Sequence, residues 1–262
     1  MDHTTTAALG AFAGLTIFIG LPVARLRGLP KGAQGFLNAV ATGILLFLFW
    51  DIVSHATGPL GAATGAMRQG RPAQFWTLAP ILAVGVGVGL LSLVYFNGRL
   101  AAHLKKRATS GSSHPLVIMI ATGLGLHNFS EGLAIGQSAA TGAIAFAGVL
   151  VIGFALHNIT EGFGIAAPMA LDAHRPSWSF LGAAGLIGGG PTFVGTILGT
   201  LITSKPVYVL FLALAAGALI YVLNELFSVG RRLNSPPAMA WGVLVGFLAA
   251  GASDLLLTYL NA

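Results

Sequence analysis

The sequence predicts an all-α integral membrane protein with about eight transmembrane helices, and three observations support this fold class. Hydrophobic residues make up 55% of the 262 residues and charged residues only 8%, whereas soluble domains carry about 25% charged residues. The mean hydropathy is +0.85. Eight apolar runs have the length of roughly 18 residues or more that crossing a bilayer requires. We expect the whole chain, residues 1–262, to form a single transmembrane domain.

The predicted spans follow one another with polar or helix-breaking segments between them. They lie at about 7–24, 34–56, 74–97, 115–138, 142–170, 178–203, 206–229 and 237–260. The longest breakers follow the second and third spans and read TGPLGAATGAMRQGRP and NGRLAAHLKKRATSGSSHP. The first run has no positively charged leading segment, and Arg25 and Arg27 follow its apolar stretch, so we interpret it as a retained helix and not as a signal peptide.

The basic residues predict how the chain is oriented. Ten of the 13 Lys and Arg residues fall in alternate loops, which the positive-inside rule assigns to the cytoplasmic side. The N- and C-termini are therefore predicted to lie outside, in a multi-pass protein of the cell membrane (plasma or inner membrane). Because the basic residues are scattered over short loops, we expect the lipid bilayer and no nucleic acid as a partner. The absence of cysteine excludes disulfides and thiolate metal sites.

The acidic residues have an unusual distribution along the chain. Five of the seven lie inside predicted spans, namely Asp51, Glu131, Glu161, Glu225 and Asp254. A charged side chain at the centre of a bilayer costs roughly 2.5–3.5 kcal/mol on insertion scales, so such residues usually mark a functional site. No Lys or Arg falls inside a predicted span. This pattern favours a cation pathway, and the alternative is polar contacts that join helices.

Two hexapeptides stand out inside the apolar runs, HNFSEG at 127–132 and HNITEG at 157–162. In the first, His127, Asn128 and Glu131 are three or four residues apart, so a helix places them on one face. The same spacing applies to His157, Asn158 and Glu161, which form the second set. A repeat of three polar positions is unusual for packing alone.

The segment between the hexapeptides, GQSAATGA at 136–143, predicts a turn near residue 141. The two helices would then be antiparallel neighbours, with both motifs about 20 Å from the turn at ~1.5 Å per residue, near the middle of the bilayer. Two imidazoles, two carboxylates and two amide oxygens would converge there. Imidazole and carboxylate together suit a divalent transition metal such as Zn²⁺ or Fe²⁺. We therefore predict a metal site formed by six residues: His127, Asn128, Glu131, His157, Asn158 and Glu161.

The paired HNxxEG motifs resemble the fourth and fifth transmembrane helices of the ZIP (Zrt/Irt-like) metal transporters, especially those of the prokaryotic branch. This resemblance implies a secondary transporter and not an enzyme, with the divalent metal as its substrate and no further cofactor. Zn²⁺ is the first candidate, with Fe²⁺, Mn²⁺ and Cd²⁺ as alternatives. The resemblance also implies an elevator-type mechanism, in which spans 1, 4, 5 and 6 move past spans 2, 3, 7 and 8, and a homodimer.

The sequence departs from the family pattern at two positions in these motifs and at one position in the sixth span. Ser130 and Thr160 occupy the place of the usual proline, which would free a backbone carbonyl, whereas Ser and Thr bend a helix only mildly. In the sixth span Gly190 precedes Pro191 where the family commonly has Glu. With that carboxylate missing, two carboxylates balance one divalent ion, and we expect one bound ion, not two.

Three further residues form a possible metal pathway. Asp51 and His55 in the second span resemble a family segment with the two residue types in reversed order, and a helix places them on one face near its outer end. Glu225 in the seventh span resembles a family Glu and is a candidate exit-route carboxylate. The alternative for all three is solvation at the membrane interface. Asp254 matches no family position, and we expect it to be a solvated cap.

Two other functions fit parts of the sequence. One is an intramembrane metal-dependent enzyme, either a hydrolase or a di-iron oxidase. Di-iron bundles use Glu-x-x-His motifs with two further glutamates, whereas the order here is His-x-x-x-Glu. The other is a metal-sensing or structural membrane protein. A transport assay set against metal-dependent turnover would separate these functions.

Overall fold

A computed structural model describes residues 2–26, 30–104, 113–140, 142, 144–166, 168–169, 172, 175–201, 204–233 and 235–261. Some side chains on helices within these ranges, including those of His157, Thr160 and Glu225, lie outside the described part. The described residues form helices and no strand. These are α1 His3–Leu15, α2 Ile17–Gly20, a 3-10 helix Leu21–Arg25, α3 Lys31–Arg68, α4 Ala73–Leu104, α5 His114–Ala140, α6 Ile144–Ala166, α7 Trp178–Gly199, α8 Lys205–Leu233 and α9 Pro236–Asn261.

The predicted all-α membrane fold is confirmed. The first predicted span corresponds to α1, α2 and the 3-10 helix together, and the other seven correspond to α3 through α9 in order. In the described part of the chain, seven of these eight segments are long and apolar enough to cross a membrane. The 23-residue α6, which is the predicted fifth span, is not among those seven.

Two predicted breakers are wrong in part, because the helices run through them. Helix α3 has 38 residues and continues through Pro59 to Arg68, and α4 continues to Leu104. Alanine is the strongest helix former, and the alanines in both segments favour continuation. The predicted turn near residue 141 is confirmed, since α5 ends at Ala140 and α6 begins at Ile144. Gly142 between them has a φ of 83°, in the left-handed region that glycine adopts most readily.

The helices form two bundles. The first, which we call the motif bundle, contains α1, α2, α5, α6 and α7, and its most extensive packing is between α5 and α7. The second, which we call the flanking bundle, contains α3, α4, α8 and α9, with its main packing between α3 and α9 and between α4 and α8. The two bundles meet chiefly where α5 packs on α8.

Glycines bring the helices within each bundle into backbone contact. A Cβ added to Gly132 of α5 would collide with the carbonyl oxygen of Thr192 on α7, and one added to Gly195 of α7 would collide with that of Phe129 on α5. Contacts of the same kind join α3 to α9 and α4 to α8. Small residues allow this close approach. In a bilayer the hydrophobic effect does not drive helices together, so the van der Waals packing of closely spaced backbones contributes to helix association instead.

Apolar side chains fill the space between the bundles. The largest buried cluster draws members from both, for example Leu124 and Ile165 of the motif bundle and Leu45 and Leu219 of the flanking bundle. This core lies beside both hexapeptides, because His127 follows Leu124 by three residues and Glu161 precedes Ile165 by four. Apolar side chains therefore pack beside both polar motifs.

Candidate metal site

Helix α5 places His127 and Glu131 one above the other, one turn apart, as their spacing predicts. The Nε2 atom of His127 lies 3.1 Å from Oε1 of Glu131. Both residues are buried, with 3% and 6% of their surfaces exposed. Imidazole nitrogen and carboxylate oxygen are ligand types that Zn²⁺ accepts, and here the two lie close together and away from water.

Asn128 connects α5 to the other motif. Its Nδ2 donates to Oε2 of Glu161 at 2.7 Å and to the carbonyl oxygen of Gly188 on α7 at 3.0 Å. Asn128 and Glu161 are both fully buried. The structure thus brings together His127 with Glu131 and Asn128 with Glu161, and it fastens the carboxylate of α6 to α5 and α7 through one amide.

Asn158, the equivalent residue of α6, contacts the first span. Its Nδ2 donates to the carbonyl oxygen of Ala13 at 2.9 Å. That carbonyl lies beside the break between α1 and α2, where Thr16 Oγ1 is 2.7 Å from the carbonyl oxygens of both Ala13 and Ala155. The side chain of His157 lies outside the described residues, so its role as a ligand stays a prediction.

Among the buried oxygens of the motifs, Oδ1 of Asn128, Oδ1 of Asn158 and Oε2 of Glu131 accept no hydrogen bond from the described residues. Each asparagine donates its Nδ2 to a backbone carbonyl, and only the nitrogen end of an amide can do so. The two amide oxygens are therefore the atoms left over. Leaving a buried acceptor without a donor is costly, and a cation would relieve that cost.

Carboxylates by themselves do not complete a metal site here. Among the side chains that the structure describes, no three His, Asp or Glu residues are grouped so that they could hold a metal ion. A complete ligand set would have to draw on the amide oxygens of Asn128 and Asn158 or on His157. The donor set is then mixed nitrogen and oxygen, which suits Zn²⁺, Fe²⁺ or Mn²⁺ and does not select one of them.

A cavity of about 400 Å³ reaches His127 and Glu131. It is lined by residues of α3, α5, α6, α8 and α9: Asp51, Ile52, His55, His127, Ser130, Glu131, Ala134, Gln137, Ser138, Leu150, Phe154, Tyr208, Leu212 and Asp254. Asn128, Asn158 and Glu161 are not among its lining residues. Of the α5 motif, His127, Ser130 and Glu131 therefore face this cavity, whereas Asn128, Asn158 and Glu161 do not line it.

The predicted pathway residues Asp51 and His55 line the same cavity as His127 and Glu131. Nδ1 of His55 is 3.2 Å from Oδ1 of Asp51, and the two side chains are 57% and 21% exposed, which is typical of the mouth of a cavity. Glu225 is on α8, and its side chain lies outside the described residues. Its exit role stays a prediction.

Asp254 is the residue that sequence reasoning misjudged. We expected a solvated cap, but α9 continues to Asn261, and Asp254 is half-buried and lines the cavity with Asp51. The reason is tertiary, because α9 packs along α3 and turns this carboxylate toward the cavity. The available signal was the presence of an acid inside an apolar run.

The structure shows the surroundings of two of the positions that depart from the family pattern, Ser130 and Gly190. Ser130 Oγ donates to the carbonyl oxygen of Leu126 at 3.4 Å, which is the mild i−4 interaction that we expected of serine. The side chain of Thr160 lies outside the described residues. At Gly190 an added Cβ would meet no atom within 4 Å, so the described surroundings leave space for a larger residue.

The comparison with known families identifies one match. The family model described as ZIP zinc transporter matches residues 96–251, which is more than half of the chain and includes both hexapeptides and α7. The first span, Asp51 and His55 precede the matched region, and Asp254 follows it. No curated protein matches the chain.

Proposed function

The chain belongs to the ZIP zinc transporter family, and we propose that it carries Zn²⁺, or a similar divalent transition metal, toward the cytoplasm through a site between α5 and α6. Members of this family transport divalent metals. The observation that supports the site most directly is the cavity lined by the buried pair His127 and Glu131. An ionisable pair buried inside a membrane-spanning helix is energetically costly, so such a pair usually marks a functional site.

The proposed route enters at the mouth of the cavity. Asp51, His55 and Asp254 line this part, and the cavity continues to His127 and Glu131. Carboxylates along low-dielectric walls concentrate cations and repel anions. A divalent ion would exchange part of its water for these groups before it reaches the buried pair.

The proposed ligands of the bound ion are the six motif residues. His127 and Glu131 meet the ion from the cavity, while Asn128 holds Glu161 at 2.7 Å on the other side. Two carboxylates neutralise one divalent ion, whereas two ions would leave a net charge of about +2 in a dry space, which is unfavourable. We therefore propose one ion per transport cycle at this site.

The division into two bundles supports an elevator-type mechanism. Backbone contacts at glycines fix the helices within each bundle, so each is suited to move as a unit. Across the α5–α8 contact, a Cβ on Gly123 would lie 3.3 Å from the Cβ of Ala218, a side-chain contact without interlocked backbones. We propose that the motif bundle moves past the flanking bundle along this contact. We also propose that the transporter is a homodimer.

The alternative of an intramembrane metalloenzyme has less support. The family to which the chain belongs consists of transporters, and the cavity joins the buried pair to an acidic mouth, as a route for ions requires. Metal-dependent turnover of an organic substrate by the purified protein, without metal uptake into proteoliposomes, would favour this alternative.

Uptake of Zn²⁺ into proteoliposomes tests the site. We expect His127→Ala and Glu131→Gln each to reduce uptake per folded protein by at least about tenfold, because even groups that only support metal ligands cost 10–100-fold when they are changed. Ser130→Ala is the matched control, since Ser130 lines the same cavity and its hydroxyl contacts Leu126. Wild-type uptake by a folded Glu131→Gln protein would refute the site.

A further inference from the structure

Thr192 of α7 has a buried hydroxyl whose Oγ1 makes no hydrogen bond with the described residues. Other threonines in the helices avoid this. Thr42, Thr122 and Thr196 each donate to the carbonyl four residues earlier at 2.8 Å, which is the usual local partner for a threonine in a helix. Thr192 is therefore an exception on the same helix as Thr196.

The local partner of Thr192 is engaged by the metal-site motif. The carbonyl oxygen four residues earlier belongs to Gly188, and it accepts the Nδ2 of Asn128 at 3.0 Å. Residues 188 and 192 lie on the same face of α7, one turn apart. The hydroxyl of Thr192 thus lies one turn from the point where the first motif is attached to α7.

The second motif is attached on the other side of Thr192. A Cβ added to Gly14 would lie 3.1 Å from the Cβ of Thr192, so this side chain faces α1. The preceding residue, Ala13, accepts the Nδ2 of Asn158. Thr192 therefore lies close to the attachment points of both asparagines, whose Oδ1 atoms also lack hydrogen-bond donors among the described residues.

Helix α7 offers few alternatives for a polar contact with the site. Its apolar part, residues 180–199, contains only two polar side chains, Thr192 and Thr196, and Thr196 already donates to the Thr192 carbonyl. Gly190 stands where the family commonly has a carboxylate. If α7 contributes a side-chain oxygen to a cation held by α5 and α6, Thr192 is the candidate whose hydroxyl has no hydrogen-bond partner among the described residues.

We propose that the Thr192 hydroxyl supplies an oxygen to the coordination shell of the transported cation, directly or through one bound water, and that it adjusts the preference among metals. This rests on the proposed metal site at His127 and Glu131. A neutral oxygen adds no charge, so it is compatible with one divalent ion balanced by two carboxylates. Oxygen ligands suit Mn²⁺ more than nitrogen ligands do, so Thr192 contributes more to Mn²⁺ transport than to Zn²⁺ transport.

Isosteric substitution tests this role in the full-length protein. Thr192→Val keeps the shape and removes the hydroxyl, and we expect the KM for Zn²⁺ uptake into proteoliposomes to rise about tenfold, as for changes in groups around metal ligands. The KM for Mn²⁺ should rise further. Thr192→Ser should restore values close to wild type. Thr196→Val is the matched control, one turn away and equally buried, and should change neither KM.

Comparing Thr192→Val with Glu131→Gln shows whether only the role of Thr192 fails or the proposed metal site fails as well. If Thr192→Val matches the wild type in KM and in its preference between Zn²⁺ and Mn²⁺, while Glu131→Gln loses uptake, only the role of Thr192 is refuted. If Glu131→Gln also retains uptake, the metal site itself is refuted. Should Thr192→Val not fold, Thr192→Ala removes the same hydroxyl without a branched side chain, and the same change in KM is expected of it.

Discussion

The two hexapeptides share four of six letters, yet their asparagines make different contacts. Asn128 of α5 donates to the carboxylate of Glu161, whereas Asn158 of α6 donates to the backbone of Ala13 on α1. Glu131 lines the cavity, and Glu161 does not. The repeat therefore places the same groups at the same helical positions and gives them different tasks.

The difference arises from the neighbours of each helix. Helix α5 packs between α7 and α8, while α6 packs against α1 and α2. An asparagine side chain pointing from α5 meets a carboxylate and a carbonyl, and one pointing from α6 meets a carbonyl at a break in the first span. The asparagine of the first motif thus holds the carboxylate of the second, whereas the asparagine of the second motif contacts α1. Three predictions test this distinction, and the largest expected effect comes first.

Asn128→Ala should reduce Zn²⁺ uptake strongly, because it removes the amide that holds Glu161. Hydrogen bonds to charged groups contribute about 1.5–3 kcal/mol, which corresponds to a change of about 10- to 100-fold. The measurement is the initial uptake rate per folded transporter in proteoliposomes. Asn158→Ala is the comparison and should lose less uptake. Equal losses in the two variants would contradict the division of tasks.

Asn158→Ala should chiefly lower stability. Hydrogen bonds between membrane helices contribute about 0.6 kcal/mol on average and up to about 1.7, so we expect the free energy of unfolding to fall by an amount in this range. Reversible unfolding in bicelles measures it.

Asn38→Ala is the matched control for Asn158→Ala. Asn38 is also buried, and it donates its Nδ2 to a backbone carbonyl on another helix, that of Leu226, at 3.1 Å, but it belongs to the flanking bundle. The two variants should lose similar stability. If Asn158→Ala loses more uptake than Asn38→Ala, the difference is the contribution of Oδ1 of Asn158 as a metal ligand. A stability equal to wild type would show that the bond to Ala13 does not anchor α1.

Much of the fold could be predicted because a bilayer imposes a simple length rule on apolar runs. The turn at Gly142 and the stacking of His127 over Glu131 also follow from local geometry alone. The extension of α3 to Arg68 could not be predicted, since alanine propensity outweighed Pro59 and the glycines of that segment.

The contacts between helices could not be predicted from the sequence. Helical spacing shows which side chains share a face, but the rotation and packing of neighbouring helices decide what that face meets. Asn128 and Asn158 have the same local pattern and different partners for this reason. Asp254 is a second example, because only the packing of α9 on α3 brings it to the cavity.

Asp254→Asn should have the smallest effect on Zn²⁺ uptake. The effect should be confined to entry of the metal into the cavity that contains His127 and Glu131. Asp254 is half-buried at the cavity that reaches Glu131, and partly exposed charge pairs contribute about 0.2–1 kcal/mol. We expect the KM for Zn²⁺ to rise by a few-fold with an unchanged maximal rate. The difference should shrink at high ionic strength, because at 0.1 M salt the interaction between exposed charges more than about 10 Å apart is largely screened, and higher salt shortens this distance. Initial uptake rates at low and high salt measure this.

The control for Asp254→Asn removes the same charge away from the cavity. Asp2 is exposed and caps α1 through Thr5, whose backbone N–H donates to its Oδ1 at 2.7 Å. Asparagine caps a helix about as well as aspartate, so Asp2→Asn should leave both KM and stability unchanged. A rise in KM that both variants share would indicate a general surface potential. A rise confined to Asp254→Asn places this carboxylate on the route that ends at His127 and Glu131, and no rise would remove it from that route.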